Sequence, residues 1–226
     1  MRQRRRRITA VIVLLAALVA WIVQTVPQPV APTQQRSGNG ELASAALEML
    51  PVKGRAPKTG YKRAQFGDGW AKLGNCDTRN LILQRDLKDT ILEDDKCKVR
   101  TGALNDPYTG KDIAFTRGAS TSAAVQIDHV VALSNAWQTG AQQLSTERRM
   151  QLANDPLELL AVDGPANQQK GDGDAATWLP SNKPFRCQYI ARQIAVKRKY
   201  VLWVTESEKA AMARVLSSCP EQIMPA

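Results

Sequence analysis

Behind five arginines at positions 2 and 4–7, the chain runs from Ile8 to Val23 with Thr9 as its only residue that is not apolar. That segment constrains the rest, because a chain whose start is read as a targeting segment is delivered to a membrane. At ~1.5 Å per residue, 16 to 19 residues span roughly 24 to 28 Å, a little short of a bilayer core. A secretory apolar region holds about 7 to 15 residues, so the segment lies between the two classes. Two readings follow for residues 1–26: a retained signal anchor, for which Trp21 suits the interface, or a cleaved signal peptide. Pro29-Val30-Ala31-Pro32 makes a poor cleavage site. In both cases the arginines stay on the cytoplasmic side and the rest is exported. A buried helix of a soluble protein is the third reading.

Residues 27–60 contain Pro27, Pro29, Pro32, a Gln-Gln-Arg-Ser-Gly-Asn-Gly stretch, Pro51 and Pro57. They read as a flexible linker with one short helix over Glu41–Leu50. Residues 61–226 are globular in composition. Cys76, Cys97, Cys187 and Cys219 include no CxxC pair, which disfavours a metal knuckle and fits disulfides in an exported protein. The pairing Cys76–Cys97 and Cys187–Cys219 is favoured, since each closes a local loop.

The net charge of +10 points toward an acidic partner until it is located. Five of those charges are the N-terminal arginines, and residues 27–63 hold six Lys/Arg against two Asp/Glu. Residues 64–226 hold twenty against nineteen. Bulk charge therefore reports targeting and a basic linker, and is poor evidence for nucleic-acid binding.

His129 is the only histidine. That excludes zinc sites built on two or three histidines, HExxH proteases and two-histidine phosphotransfer. No GxSxG elbow is present to support a serine hydrolase.

The fold class reads as α+β, with several helices and a small antiparallel sheet. Thr78–Leu87 is helix or strand. Val99–Gly102 and the Asp106–Gly110 turn read as strand, turn, strand. Val125–Leu133 is a β-branched run, Ser145–Ala153 a polar helix and Leu157–Val162 an apolar strand. Pro165 opens a helix expected to reach Trp178, with Pro180 as its stop. Pro184–Leu202 is a basic helix. Thr205-Glu-Ser-Glu208 is a capping box for the last helix, to Ser217.

The chemistry concentrates in Gln126-Ile127-Asp128-His129-Val130-Val131, Leu157-Glu158-Leu159-Leu160-Ala161-Val162 and Asn167-Gln168-Gln169-Lys170-Gly171-Asp172. On a strand Asp128 and His129 point to opposite faces. Asn167 can supply a neutral oxygen, and Lys170 follows on the same helical face.

This strand–strand–helix order, with Asp128-His129, Asn167-x-x-Lys170-Gly171-Asp172 and Trp178-Leu179-Pro180, resembles the HNH (His-Me finger, ββα-metal) nuclease superfamily. More narrowly, it is similar to exported actinobacterial HNH-family proteins related to the C-terminal nuclease domain of GmrSD-type restriction enzymes. The resemblance covers roughly Tyr61 to Cys219, including Cys76-Asp77-Thr78-Arg79 and Asp106-Pro107-Tyr108-Thr109-Gly110. It implies a ββα-metal core and a metal-dependent endonuclease that hydrolyses phosphodiester bonds, with DNA ahead of RNA as substrate. Asp128 and Asn167 would hold one Mg²⁺ or Mn²⁺, with no organic cofactor, and His129 would be the general base. Lys170 would meet a phosphate. Arg192, Lys197, Arg198 and Lys199 are further candidate phosphate contacts; Asp77 and Arg79 are read as structural. Glu158 stands where the family usually has an asparagine that fixes the histidine loop. It is a candidate for orienting His129, for joining the metal shell or for holding the backbone, and Asn154 is the nearby substitute. Because of Glu158, the alternative is a catalytically degenerate scaffold that binds nucleic acid or an envelope partner.

Overall fold

The structure, a computed structural model, describes residues 40–225. The anchor or signal expected over residues 1–26 lies outside the described residues, as does residues 27–39 of the expected linker. Among the described residues no helix is long and apolar enough to cross a membrane.

In chain order the elements are α1 (Ala43–Glu48), β1 (Lys72–Leu73), β2 (Cys76–Asp77), α2 (Thr78–Asp86), β3 (Lys88–Leu92), β4 (Val99–Asn105) and β5 (Asp112–Thr116). There follow β6 (Val125–His129), α3 (Leu133–Gln138), α4 (Thr146–Ala153), β7 (Leu159–Asp163), α5 (Gly164–Lys170), α6 (Arg186–Lys199) and α7 (Glu206–Leu216). The fold is α+β with small antiparallel sheets: β1–β2, β3–β4–β5 and β6–β7.

Local signals account for most boundaries. Asp77 caps α2 by accepting from the Asn80 N–H at 2.8 Å, and Ser145 caps α4 from the Arg148 N–H. The capping box at Thr205 and Glu208 is complete. The helix expected from Pro165 to Trp178 is shorter, because Gly171 at φ 54° takes the left-handed conformation that ends α5. Both favoured disulfides are present, Cys76–Cys97 and Cys187–Cys219.

The stretch from Glu41 onward, expected to be linker, belongs to the folded body. Ala43, Ala46, Leu47 and Leu50 are buried in the main core with Ile190, Ile194, Met212 and Leu216. The Ala43 N–H donates to Gln222 O and the Met224 N–H to Glu41 O, each at 2.8 Å, so the C-terminal segment clamps α1. The physical reason is the apolar face of Ala43–Leu50, which a solvated linker would leave in water.

Two hydrophobic cores flank the β6–β7 pair. Val125, Ile127, Leu159 and Ala161 face a smaller core with Ile82, Leu83, Val99, Leu104 and Phe115. Leu160 and Val162 face the larger one, under α6 and α7. The register sets Asp128 opposite Leu160 and His129 opposite Leu159. At the start of α5 a Cβ on Gly164 would come within 2.1 Å of the Ala123 carbonyl oxygen. Glycine there lets α5 pack directly against the approach to β6.

Candidate active site

The period-2 geometry of β6 sends its last two side chains opposite ways. Asp128 turns toward α5 and His129 toward Trp70, whose ring stacks on the imidazole at 5.8 Å between centroids and 5° between planes. His129 Nε2 lies 2.9 Å from Ala153 O at the end of α4. A carbonyl only accepts, so Nε2 carries the proton and, in the neutral ring, Nδ1 keeps its lone pair. Burial, and to a lesser degree the positive charges of Arg63 and Lys170, lower the imidazole to about 3, against the Ala153 hydrogen bond. His129 is therefore neutral throughout the neutral range.

Asp128 is 5% exposed. Tyr108 donates to its Oδ2 at 2.5 Å, and Lys170 Nζ lies 2.9 Å from Oδ1 and 2.8 Å from Oδ2. Lys170 also donates to the His129 carbonyl at 2.7 Å. Burial and the adjacent carboxylate push the Tyr108 phenol well above its ordinary range, which keeps it a donor. Lys170 is thus a buried brace beneath the strand end and does not reach phosphate, contrary to expectation. The last turn of α5 sits against β6, so the lysine chain runs inward.

Glu158, also fully buried, accepts from the Val131 N–H at 3.1 Å through Oε2, while its own carbonyl accepts from the Val130 N–H at 2.9 Å. It holds the loop that leaves His129, which is one of the roles expected at this position. Its Oε1 has no partner, and burial raises the carboxyl well above its ordinary value. Neither Glu158 nor Lys170 lines the cleft, so both are positioning residues. Asn154 does a different job: its Oδ1 accepts from the Ala71 N–H and its Nδ2 donates to Met150 O.

A cleft of about 480 Å³ opens over the ends of β6 and α5, lined by Gln126, Asp128, His129, Asn167, Ser134 and Asp172 among others. Asn167 Nδ2 donates to Gln126 Oε1 at 2.9 Å, leaving its own Oδ1 as an acceptor. Among the described residues no three His, Cys, Asp or Glu side chains gather as a metal cluster. Asp172 is engaged by Lys58 and Ser134, which leaves the Asp128 carboxylate and the Asn167 amide oxygen as the candidate donors. Three of the roughly four lone-pair sites of Asp128 are engaged, leaving one. An all-oxygen set with one carboxylate fits a single hard cation that keeps waters or phosphate oxygens as its other ligands.

The cations of the cleft are Arg63 and Arg79. Among the described residues neither makes an ion pair or a side-chain hydrogen bond. Arg79 stands on α2 behind Cys76, and its reading as structural is revised on this placement. The four cations expected from α6 lie elsewhere and are engaged. Lys197 is fully buried, with Nζ 2.9 Å from Glu208 Oε1 and 3.0 Å from Trp203 O. Arg192 donates to the carbonyls of Pro156, Leu157 and Leu159. Arg198 pairs with Glu41, and Lys199 with Asp155 at 2.5 Å. Helix periodicity does not reveal which side of the fold α6 covers. The basic residue before Phe66 and the arginine after Cys76-Asp77 were visible in the sequence, but nothing local marked them as neighbours of His129. Above the cleft the chain at 55–61 is fastened down by Arg55–Asp174 at 2.6 Å and Lys58–Asp172 at 2.9 Å.

Residues 77–215 match the family described as GmrSD restriction endonucleases, C-terminal domain. A relative from the fungus Arthroderma benhamiae, described as an uncharacterized secreted protein, is 37% identical over 207 residues, covering 91% of this chain and 98% of its own. No solved structure matches the chain. The family match spans more than half of the sequence and contains both β6 and α5, so the chain belongs to the family of GmrSD restriction endonuclease C-terminal domains.

Proposed function

We propose that the protein is an extracytoplasmic, metal-dependent phosphodiesterase that cleaves nucleic acid in the manner of HNH nucleases. The observation that carries this reading is the pairing of a neutral, carbonyl-fixed His129 with Asp128 and Asn167 at the end of a strand–strand–helix unit, inside a cleft holding two arginines. Membership of a nuclease-domain family supports it. Two disulfides and a relative described as secreted support the compartment.

In this reading Asp128 and Asn167 hold one Mg²⁺ or Mn²⁺, which when bound supplies charge stabilisation at the phosphate. His129 Nδ1 takes a proton from the attacking water while Ala153 O holds the Nε2–H. Arg63 and Arg79 bind and orient the phosphate. Tyr108 and Lys170 fix the Asp128 carboxylate, and Glu158 fixes the loop after His129. This loop contact supports the catalytic reading over a degenerate scaffold.

The test is cleavage of plasmid DNA and of RNA by the purified full chain with Mg²⁺ or Mn²⁺, beside a His129→Ala variant. Loss of about 10²-fold or more in the variant is expected. Equal cleavage by wild type and variant would sink the proposal, and binding without turnover would return the scaffold reading.

A further inference from the structure

Beside the cleft lies a second cavity of about 180 Å³, lined by Arg63, Phe66, Gly67, Gly69, Trp70, His129, Leu133 and Ala153. Four of these residues, Arg63, Trp70, His129 and Leu133, also line the cleft. A chain passing from one space to the other therefore crosses the imidazole. The wall of the smaller space combines an indole, a phenyl ring and a guanidinium. That is the combination on which nucleobases stack while a cation follows the backbone. Its volume is below the ~300 to 1,000 Å³ of pockets for drug-sized ligands, which suits one planar heterocycle and excludes a base pair.

We propose that this cavity receives an unpaired nucleobase adjacent to the scissile phosphate, with Trp70 as its stacking platform, and that the substrate class is therefore single-stranded nucleic acid. The inference rests on the phosphodiesterase reading given above. A base held in a duplex would have to leave its stack to enter, at an energetic cost that a single strand largely avoids. Trp70 also packs against the smaller core and stacks on His129, so its removal tests stability and the placement of His129 as well as recognition. Two substitutions separate these effects. Trp70→Leu keeps an apolar side chain and loses the π face, whereas Trp70→Phe keeps both.

The experiment measures cleavage by the full chain of a fluorescent single-stranded 20-mer, of the same sequence as a duplex, and of the single strand with an abasic nucleotide at each position in turn. Melting temperatures of the variants are recorded alongside. The wild type is expected to cleave the single strand at least about tenfold faster than the duplex, and to lose roughly 5- to 100-fold at bonds beside the abasic position. Trp70→Leu should erase both differences while Trp70→Phe retains them. Equal cleavage of single strand and duplex by the wild type would overturn the proposal, as would indifference to the abasic nucleotide. So would a Trp70→Leu variant whose losses apply equally to every substrate. Absence of cleavage of any nucleic acid would instead sink the phosphodiesterase reading, and this inference with it.

Discussion

Lys170 Nζ lies within 2.9 Å of both carboxylate oxygens of Asp128, and its side chain is fully buried. The pair joins the end of α5 to the end of β6, the two elements that carry the candidate cation ligands. Buried ion pairs of this kind add little net stability over an apolar pair, but breaking one leaves an uncompensated charge. This pair locks the relative placement of a helix and a strand, and the first prediction follows from it.

Lys170→Ala should destabilise the fold by about 3 to 5 kcal/mol, because the Asp128 charge and the His129 carbonyl lose their buried partner. Urea denaturation of wild type and variant measures it. The double substitution Lys170→Met with Asp128→Leu should recover much of the loss while remaining inactive. A loss under about 1 kcal/mol in Lys170→Ala would show that the lysine is not a brace.

Burial favours the protonated form of Glu158 and raises its carboxyl well above the ordinary value of 4.5. The folded state binds this proton more tightly than the unfolded chain does. Its contribution to stability is therefore full below about pH 4.5 and is lost as pH rises through the raised folded value. Glu158→Gln keeps an oxygen for the Val131 N–H without an ionisable proton. It should flatten this part of the stability–pH profile and be at least as stable as wild type at pH 8. Glu158→Ala should cost about 1 to 3 kcal/mol by leaving that N–H unpaired. Chemical denaturation between pH 5 and pH 9 measures both.

Nucleic-acid affinity should depend on Arg63 and Arg79 and be indifferent to Lys199. Removing both arginines should reduce the slope of log affinity against log salt by about 1 to 2, the amount expected for two lost phosphate contacts. Lys199→Ala, on the outer face of α6, should leave the slope unchanged. Fluorescence anisotropy over a salt series separates the two, and the reverse pattern would restore the α6 cations as the binding surface.

Chelation by EDTA should abolish cleavage, and Mg²⁺ or Mn²⁺ should restore it. Asn167→Ala should raise the metal concentration needed for half activity with little change in melting temperature, since the side chain of Asn167 makes one part-buried hydrogen bond, to Gln126. Isothermal titration with Mn²⁺ reads the loss directly. Full activity in excess EDTA would remove the cation from the reaction.

Much of this architecture was legible because it is local. Alternation on β6 separated Asp128 from His129. The capping box at Thr205 opened the last helix, and short loop closures favoured the cysteine pairing that the structure has. Two expectations failed, the first for a local reason and the second for a non-local one. Pro180 suggests a helix reaching Trp178, but Gly171 ends α5 about two turns sooner. The Glu41–Leu50 segment was read as a helix in a linker because its partners, α6 and α7, lie more than a hundred residues away.

The sequence alone determined the order of strand, strand and helix and the opposite aims of Asp128 and His129, and it favoured the cysteine pairing. Each depends on backbone periodicity or short chain separation. Only the tertiary structure decided which charges serve the cleft. Lys170, Glu158 and Lys197 became internal because the elements carrying them pack face to face. Arg63, Trp70 and Arg79, distant in sequence from His129, became its neighbours. A charged side chain's role follows from the surface its element leaves uncovered, and that is settled by packing between segments far apart in the chain.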